Sequence, residues 1–206
     1  MTGFAQNPAI PLVLASSSAT RARLLQAAGL SFATAAPGID EASVKESAER
    51  DGLSAAEAAL LLAELKARRI SARLPEAVVI GADQILVCEG RWFDKPDGRA
   101  AAAAQLAALA GRSHVLVTAV ACVRGEVVLW RHVAEPRVTM RRLSAATIAA
   151  YLDAAGPSVT ASVGAYQAEG LGIRLFESIA GEHSAVLGLP LLPLLGFLRQ
   201  HGALSD

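Results

Sequence analysis

The sequence predicts an α/β fold, a mixed twisted sheet with flanking helices, in a single domain over residues 1–206. Apolar runs of strand length alternate with longer Ala/Leu runs of helix length. Two long strand candidates are separated only by Gly125-Glu126, a hairpin that puts an antiparallel element into the sheet. A chain of 206 residues, 53% hydrophobic and 18% charged, can bury a full core and is too apolar for disorder.

Leu12–Ala15 reads as a buried strand. Ser16-Ser17-Ser18 follows it, and serine before an apolar-periodic run is a good N-cap for the helix from Ala19 to Ala28, which Gly29 stops. Ser31–Ala35 is a second strand candidate, and Pro37-Gly38 a turn. Ile39-Asp40-Glu41 begins a polar connection. Ser54 caps a long helix to about Leu74, with Glu57 completing a capping box. Val78–Ala82 and Ile85–Val87 read as strand interrupted by the polar pair Asp83-Gln84. Asp97 to Ala110 is a helix ended by Gly111. His114–Val123 and Val127–Met140 are the two hairpin strands. Ser144 caps a helix to Ala155, which Gly156-Pro157 stops. Glycines at 164, 170, 172, 181 and 188 imply tight turns and close backbone approach in the C-terminal third, before Pro190 opens a last helix to His201.

A formal net charge of +0 and the lack of a long basic run argue against a nucleic acid polymer as partner. The apolar stretch Ala185–Leu198 is broken by Pro190 and Pro193 and is too short to span a bilayer. No secretory signal stands out, so a cytoplasmic location is expected. Cys88 and Cys122 sit singly in apolar runs and read as reduced core thiols. Neither they nor the four histidines have metal-ligand spacing. A GxxxxGK[ST] loop, a GxGxxG fingerprint and a GxSxG elbow are all missing, which argues against P-loop enzymes, dinucleotide dehydrogenases and α/β-hydrolases.

Several side chains can carry chemistry, each with a plainer alternative. Ser16, Ser18 and Arg21 at a helix start can bind an anion, with Arg21 clamping a phosphate through two parallel bonds, or they can simply cap the helix. Asp83 lies between Gly81-Ala82 and an apolar strand, where a carboxylate needs a partner or a task. It can bind metal, activate water or be a hydrogen-bonded structural acid. Glu41 has the same options or is an exposed loop acid. Lys66 and Lys95 can neutralise a polyphosphate, or be a helix-end charge and a turn lysine. His114, without an acid partner in sequence, reads as structural.

As a set, these segments resemble the Maf family of nucleotide pyrophosphatases, over about Leu12 to Leu198. The run Leu14-Ala15-Ser16-Ser17-Ser18-Ala19-Thr20-Arg21 is similar to that family's LASxSPxR opening. Asp40-Glu41, Lys66-Ala67, Gly81-Ala82-Asp83-Gln84, Lys95-Pro96, Gly111–Thr118, Gly164-Ala165-Tyr166, Glu169-Gly170 and Gly188-Leu189-Pro190 follow its other motifs in order. Ala19, Asp94 and Val163 depart from its pattern without removing a charge. The resemblance implies two lobes around a central cleft and a homodimer. The implied activity is cleavage of nucleoside triphosphates between the α and β phosphates, with Asp83 as proton acceptor. Arg21, Lys66 and Lys95 are implied around the triphosphate and Glu41 near a divalent cation, Mg2+ or Mn2+, to which Asp83 also contributes.

Thr20, Gln84 and Glu169 occupy the positions implied to read the base. Gln84 and Glu169 resemble the branch acting on 7-methyl-GTP, and a carboxylate suits the donor edge of guanine. Thr20 stands where that branch has tryptophan. The alternatives are a dTTP/UTP pyrophosphatase, a phosphatase releasing the γ phosphate, and a non-catalytic nucleotide-binding regulator of cell division.

Overall fold

The computed structural model describes residues 5–205. In chain order it forms β1 (Leu12–Ala15), α1 (Ala19–Ala27), β2 (Ala33–Thr34), α2 (Glu41–Arg50), α3 (Ala55–Ser71), β3 (Val78–Cys88), β4 (Arg91–Phe93) and α4 (Gly98–Leu109). There follow β5 (Ser113–Arg124), β6 (Val127–Ala134), β7 (Arg137–Met140), α5 (Ala145–Ala155), three short 3-10 turns, β8 (Phe176–Ala180), α6 (His183–Val186) and α7 (Leu191–Gln200). The strands form a mixed sheet, parallel where β1 meets β2 and β3 and antiparallel at β4, β6, β7 and β8. The predicted α/β class with a mixed sheet is what the chain adopts.

The chain divides into two compact units. The first holds the chain up to Asp83, Thr118–Ala134 and the chain from Gly188 onward. Its parallel strands alternate in the way a sheet covered on both faces requires. Leu12, Leu14, Val78 and Ile80 point to a cluster with Leu25, Leu189, Leu194 and Leu198, whereas Val13, Ala15 and Val79 pack with Ala67 and Ile70 of α3. The second unit holds Gln84–Val117 and Glu135–Leu187. Its core joins Leu86, Leu106, Leu109, Leu116, Val138, Met140 and Leu152.

Capping chemistry sets the helix starts where the sequence predicts them. Ser18 Oγ accepts from the Arg21 backbone N–H, and Ser54 with Glu57 forms the reciprocal capping box. Four expectations change. The polar connection at Asp40-Glu41 is the start of α2, with Asp40 as N-cap accepting from the Ser43 backbone N–H. Its largely polar sequence hides the apolar stripe, because only Ala48 is buried. Asp83-Gln84 does not interrupt a strand: β3 runs unbroken over eleven residues. The Val127–Met140 candidate splits around Glu135-Pro136 into β6 and β7, since proline donates no ladder hydrogen bond. The Ser31–Ala35 strand is only the two exposed residues of β2.

No helix among the described residues is long and apolar enough to cross a membrane. Cys88 and Cys122 are buried and free.

Candidate active site

The polar groups of the first unit gather where β1 ends beside the middle of β3. The register pairs Ala15 with Gly81, so Ser16 leaves β1 beside the Ala82-Asp83 segment of β3. Asp83 is only 3% exposed. A carboxylate so far from water requires compensation, and the neighbouring helix supplies it.

Helix α3 buries a stripe of small and aliphatic residues, Ala59, Leu62, Ala63, Ala67 and Ile70, at helical spacing. Lys66 lies in that stripe, so its side chain enters the interior instead of solvent and is itself 3% exposed. Its Nζ donates to Asp83 Oδ1 at 2.7 Å and lies 2.8 Å from Glu41 Oε1. Gly81 allows this approach: a β-carbon there would stand 2.8 Å from the Ala67 backbone nitrogen and closer still to the Ala63 carbonyl oxygen. Glu41 comes from the first turn of α2, where the helix dipole favours an acid. Its side chain keeps 42% of its exposure, so one arm of the cluster meets solvent.

Such an ion pair is a poor stability device. Removing two charges from water costs several kcal/mol per ion, and well-packed apolar replacements are often about 1–4 kcal/mol more stable. Function is the better reason for keeping it. Asp83 Oδ1 is held by Lys66, while Oδ2 is buried with no hydrogen-bond partner among the described residues. An orphaned buried carboxylate oxygen is an acceptor waiting for a ligand.

Arg21 is placed one turn into α1, but it does not present two free parallel bonds to an anion. Nε donates to the Gly188 carbonyl at 2.7 Å and Nη1 to the Ala82 carbonyl at 2.9 Å. The guanidinium thereby ties α1 to the middle of β3 and to the Gly188 turn. Gly188 takes a left-handed φ of 96°, and a β-carbon there would stand 3.3 Å from Arg21 Nε. Burial lowers the Arg21 pKa from its ordinary value, and the nearby charges of Asp83 and Glu41 oppose that shift. Ser16 Oγ accepts from the Ser18 backbone N–H at 3.1 Å and lies 3.4 Å from Arg21 Nη1. Thr20 Oγ1 accepts from Arg23 Nη2 at 3.1 Å.

The cluster therefore unites Arg21, Glu41, Lys66 and Asp83 with Ser16. Ser18 and Thr20 stand beside it at the start of α1, and the other predicted residues, Gln84, Lys95 and Glu169, belong to the second unit. Lys95 is exposed just after β4, and Glu169 is exposed in a turn. Gln84 Nε2 donates to the Ala185 and Val186 carbonyls at 3.0 and 3.2 Å, so its amide anchors α6. His114, which reads as structural in sequence, is buried, and its Nε2 lies 2.7 Å from the Tyr166 hydroxyl. Sequence reasoning did not find Gly81 and the Ala82 and Gly188 carbonyls as parts that set the site. The helical spacing of Ala59, Leu62, Ala63, Lys66 and Ala67 did carry the signal that Lys66 faces inward.

Only two carboxylates are available to a cation: no group of three or more His, Cys, Asp or Glu able to hold a metal occurs among the described residues. Glu41 and Asp83 nevertheless suit a hard divalent ion that takes one or two carboxylates and completes its shell with phosphate oxygens and water.

The Maf-like protein family pattern matches residues 11–201 of this chain. A nucleoside triphosphate pyrophosphatase of Rhodospirillum rubrum is 52% identical over 194 residues, 94% of this chain and 96% of the relative. Another of that name, from Nitrobacter hamburgensis, is 56% identical over 196 residues, 95% of this chain and 96% of the relative. A third, from Granulibacter bethesdensis, is 50% identical over 194 residues, 94% of this chain and 98% of the relative. With a match of this length and geometry of this kind, the chain belongs to the Maf-like protein family.

Proposed function

We propose that the chain is a nucleoside triphosphate pyrophosphatase, a hydrolase that converts a nucleoside triphosphate and water to the monophosphate and pyrophosphate. The observation that carries the reading is Asp83: nearly inaccessible, fixed through Oδ1 by Lys66, and offering an unpartnered Oδ2.

In this reading a water held at Asp83 Oδ2 attacks the α phosphorus in line. The bond from that phosphorus to the oxygen bridging toward the β phosphorus breaks, pyrophosphate leaves, and Asp83 takes the proton of the attacking water. Lys66 holds the carboxylate in one orientation until the substrate arrives, so that Asp83 is already aligned when the reaction begins. Arg21 acts through the backbone, fixing the Ala82 carbonyl and with it the path of the chain into Asp83. Ser16 and Ser18 hold the turn that opens α1. A divalent cation, Mg2+ or Mn2+, bound by Glu41 and Asp83 and by phosphate oxygens would supply charge neutralisation on the leaving pyrophosphate.

The remaining roles are proposals of the same kind. Lys95 offsets phosphate charge, and Thr20 and Glu169 read the base, with Gln84 holding α6 through its Nε2 and reading the base through its Oε1. Glu169 offers acceptors suited to the donor edge of guanine, so a guanine nucleotide, 7-methyl-GTP among them, is the preferred substrate. A product assay across dTTP, UTP, GTP and 7-methyl-GTP with Mg2+ or Mn2+ tests all of this. Monophosphate and pyrophosphate in equal amounts are expected, fastest with a guanine base. Release of inorganic phosphate alone would overturn the bond assignment, and a strong preference for dTTP would overturn the base assignment.

A further inference from the structure

The charge pattern at Lys66 bears on how metal reaches this site. The Lys66 ammonium sits 2.7 Å from Asp83 Oδ1 and 2.8 Å from Glu41 Oε1. It thus occupies the space between the two carboxylates that the proposed reading assigns to the cation. With Arg21 held in the same cluster, the formal charges of Arg21, Lys66, Glu41 and Asp83 cancel.

A bare divalent cation entering this cluster would bring two positive charges to a site that is already neutral. It would also have to compete with an ammonium at hydrogen-bond distance, in surroundings where water screens poorly because Lys66 and Asp83 are each only 3% exposed. A triphosphate reverses that balance. Its negative charge compensates the cation, and its oxygens give the ammonium a new partner as it leaves the carboxylates. From this we infer that Lys66 is an internal stand-in for the metal, and that the species the site takes up is the metal–triphosphate chelate instead of the metal alone.

The inference rests on the pyrophosphatase reading for its ligand but is tested without turnover. Mn2+ is titrated into the nucleotide-free protein, with unbound ion read from its electron paramagnetic resonance signal. Equilibrium dialysis then repeats the measurement with an α,β-methylene nucleoside triphosphate, which cannot be cut at the bond in question. The wild-type chain is expected to leave the Mn2+ signal unchanged on its own and to accumulate Mn2+ and the analogue together. Lys66→Met and Lys66→Gln, which remove the ammonium, are expected to bind Mn2+ without nucleotide at least about tenfold more tightly than wild type. Adding Glu41→Gln to either variant should take that gain away.

Tight Mn2+ binding by the nucleotide-free wild type would overturn the inference, and so would folded Lys66 variants with no gain. If both variants fail to fold, the wild-type comparison with and without the analogue decides alone. The product assay is separate: a chain that forms no pyrophosphate refutes the activity whatever the Mn2+ titration shows, and a chain that forms it while binding bare Mn2+ refutes only the role of Lys66.

Discussion

Each unit of the molecule buries polar side chains, and the two do so by opposite means. In the first, Lys66 and Asp83 go into the interior as a charged pair that Glu41 extends toward solvent. In the second, His114 goes in beside the Tyr166 hydroxyl, and burial pulls its pKa from 6.5 to about 4, so the ring is neutral near pH 7. The Tyr166 hydroxyl is pushed up by the same desolvation and keeps its proton. A charged pair must be held at close approach, because only contact geometry gives enough attraction to offset the cost of taking both charges out of water. A neutral pair needs only one good hydrogen bond. The charged solution keeps an unpartnered carboxylate oxygen available to a ligand, and the neutral one leaves His114 Nδ1 as its orphan. Chemistry is expected from the first, and a pH dependence of stability from the second.

Three measurements test this contrast. The largest effect belongs to Asp83→Asn, which keeps the shape and removes the proton acceptor. Turnover should fall by about 10³-fold, within the usual range for losing a general base, while nucleotide affinity stays within a few-fold. Pyrophosphate release and analogue binding read the two separately, and a variant that turns over like wild type would show that the buried acid is structural after all.

Next comes Gly81→Ala. The new methyl group meets the backbone of Ala63 and Ala67, so α3 must withdraw from β3. A loss of about 3 kcal/mol in urea unfolding is expected, at the upper end for overpacking. In the chain that remains folded, kcat should drop more than KM rises, because Lys66 no longer fixes Asp83. Unchanged turnover would mean that the pair does not depend on that contact.

His114 gives the smallest effect, confined to acid. Its folded-state pKa lies below its ordinary value, so the unfolded chain takes up a proton first as pH falls. Stability is fully present above about pH 6.5 and is lost as pH drops toward about 4. The shift corresponds to about 3 kcal/mol over that window. His114→Gln should flatten this part of the profile, seen as a smaller difference in urea midpoint between pH 7 and pH 4 than in wild type, with turnover at pH 7 little changed. An identical pH profile in the two proteins would remove the neutral-histidine account.

Much of this architecture is legible locally. Ser18 and Ser54 announce helix starts because capping depends on hydrogen bonds within a few residues. The apolar run Leu12–Ala15 and the Gly125-Glu126 turn likewise fix strand and hairpin from neighbouring residues. Helix α2 is harder to see, since a mostly polar helix that buries little leaves almost no apolar period to read. The full reach of β3 through Asp83-Gln84 is hidden as well, because the partner that lets an acid sit in a strand, Lys66, is seventeen residues away.

The sequence by itself determined the fold class and most helix starts and singled out candidate chemistry-bearing residues, all of which follow from short-range patterns and motif order. Tertiary structure alone decided their partnerships. It put Lys66 between two carboxylates, turned Arg21 toward the Ala82 and Gly188 carbonyls, committed the Gln84 amide to α6, and left one oxygen of Asp83 without a partner. The physical reason is range: a cap or a turn is closed by neighbours along the chain, whereas a buried charge can only be compensated by whatever folding brings within a few ångströms of it.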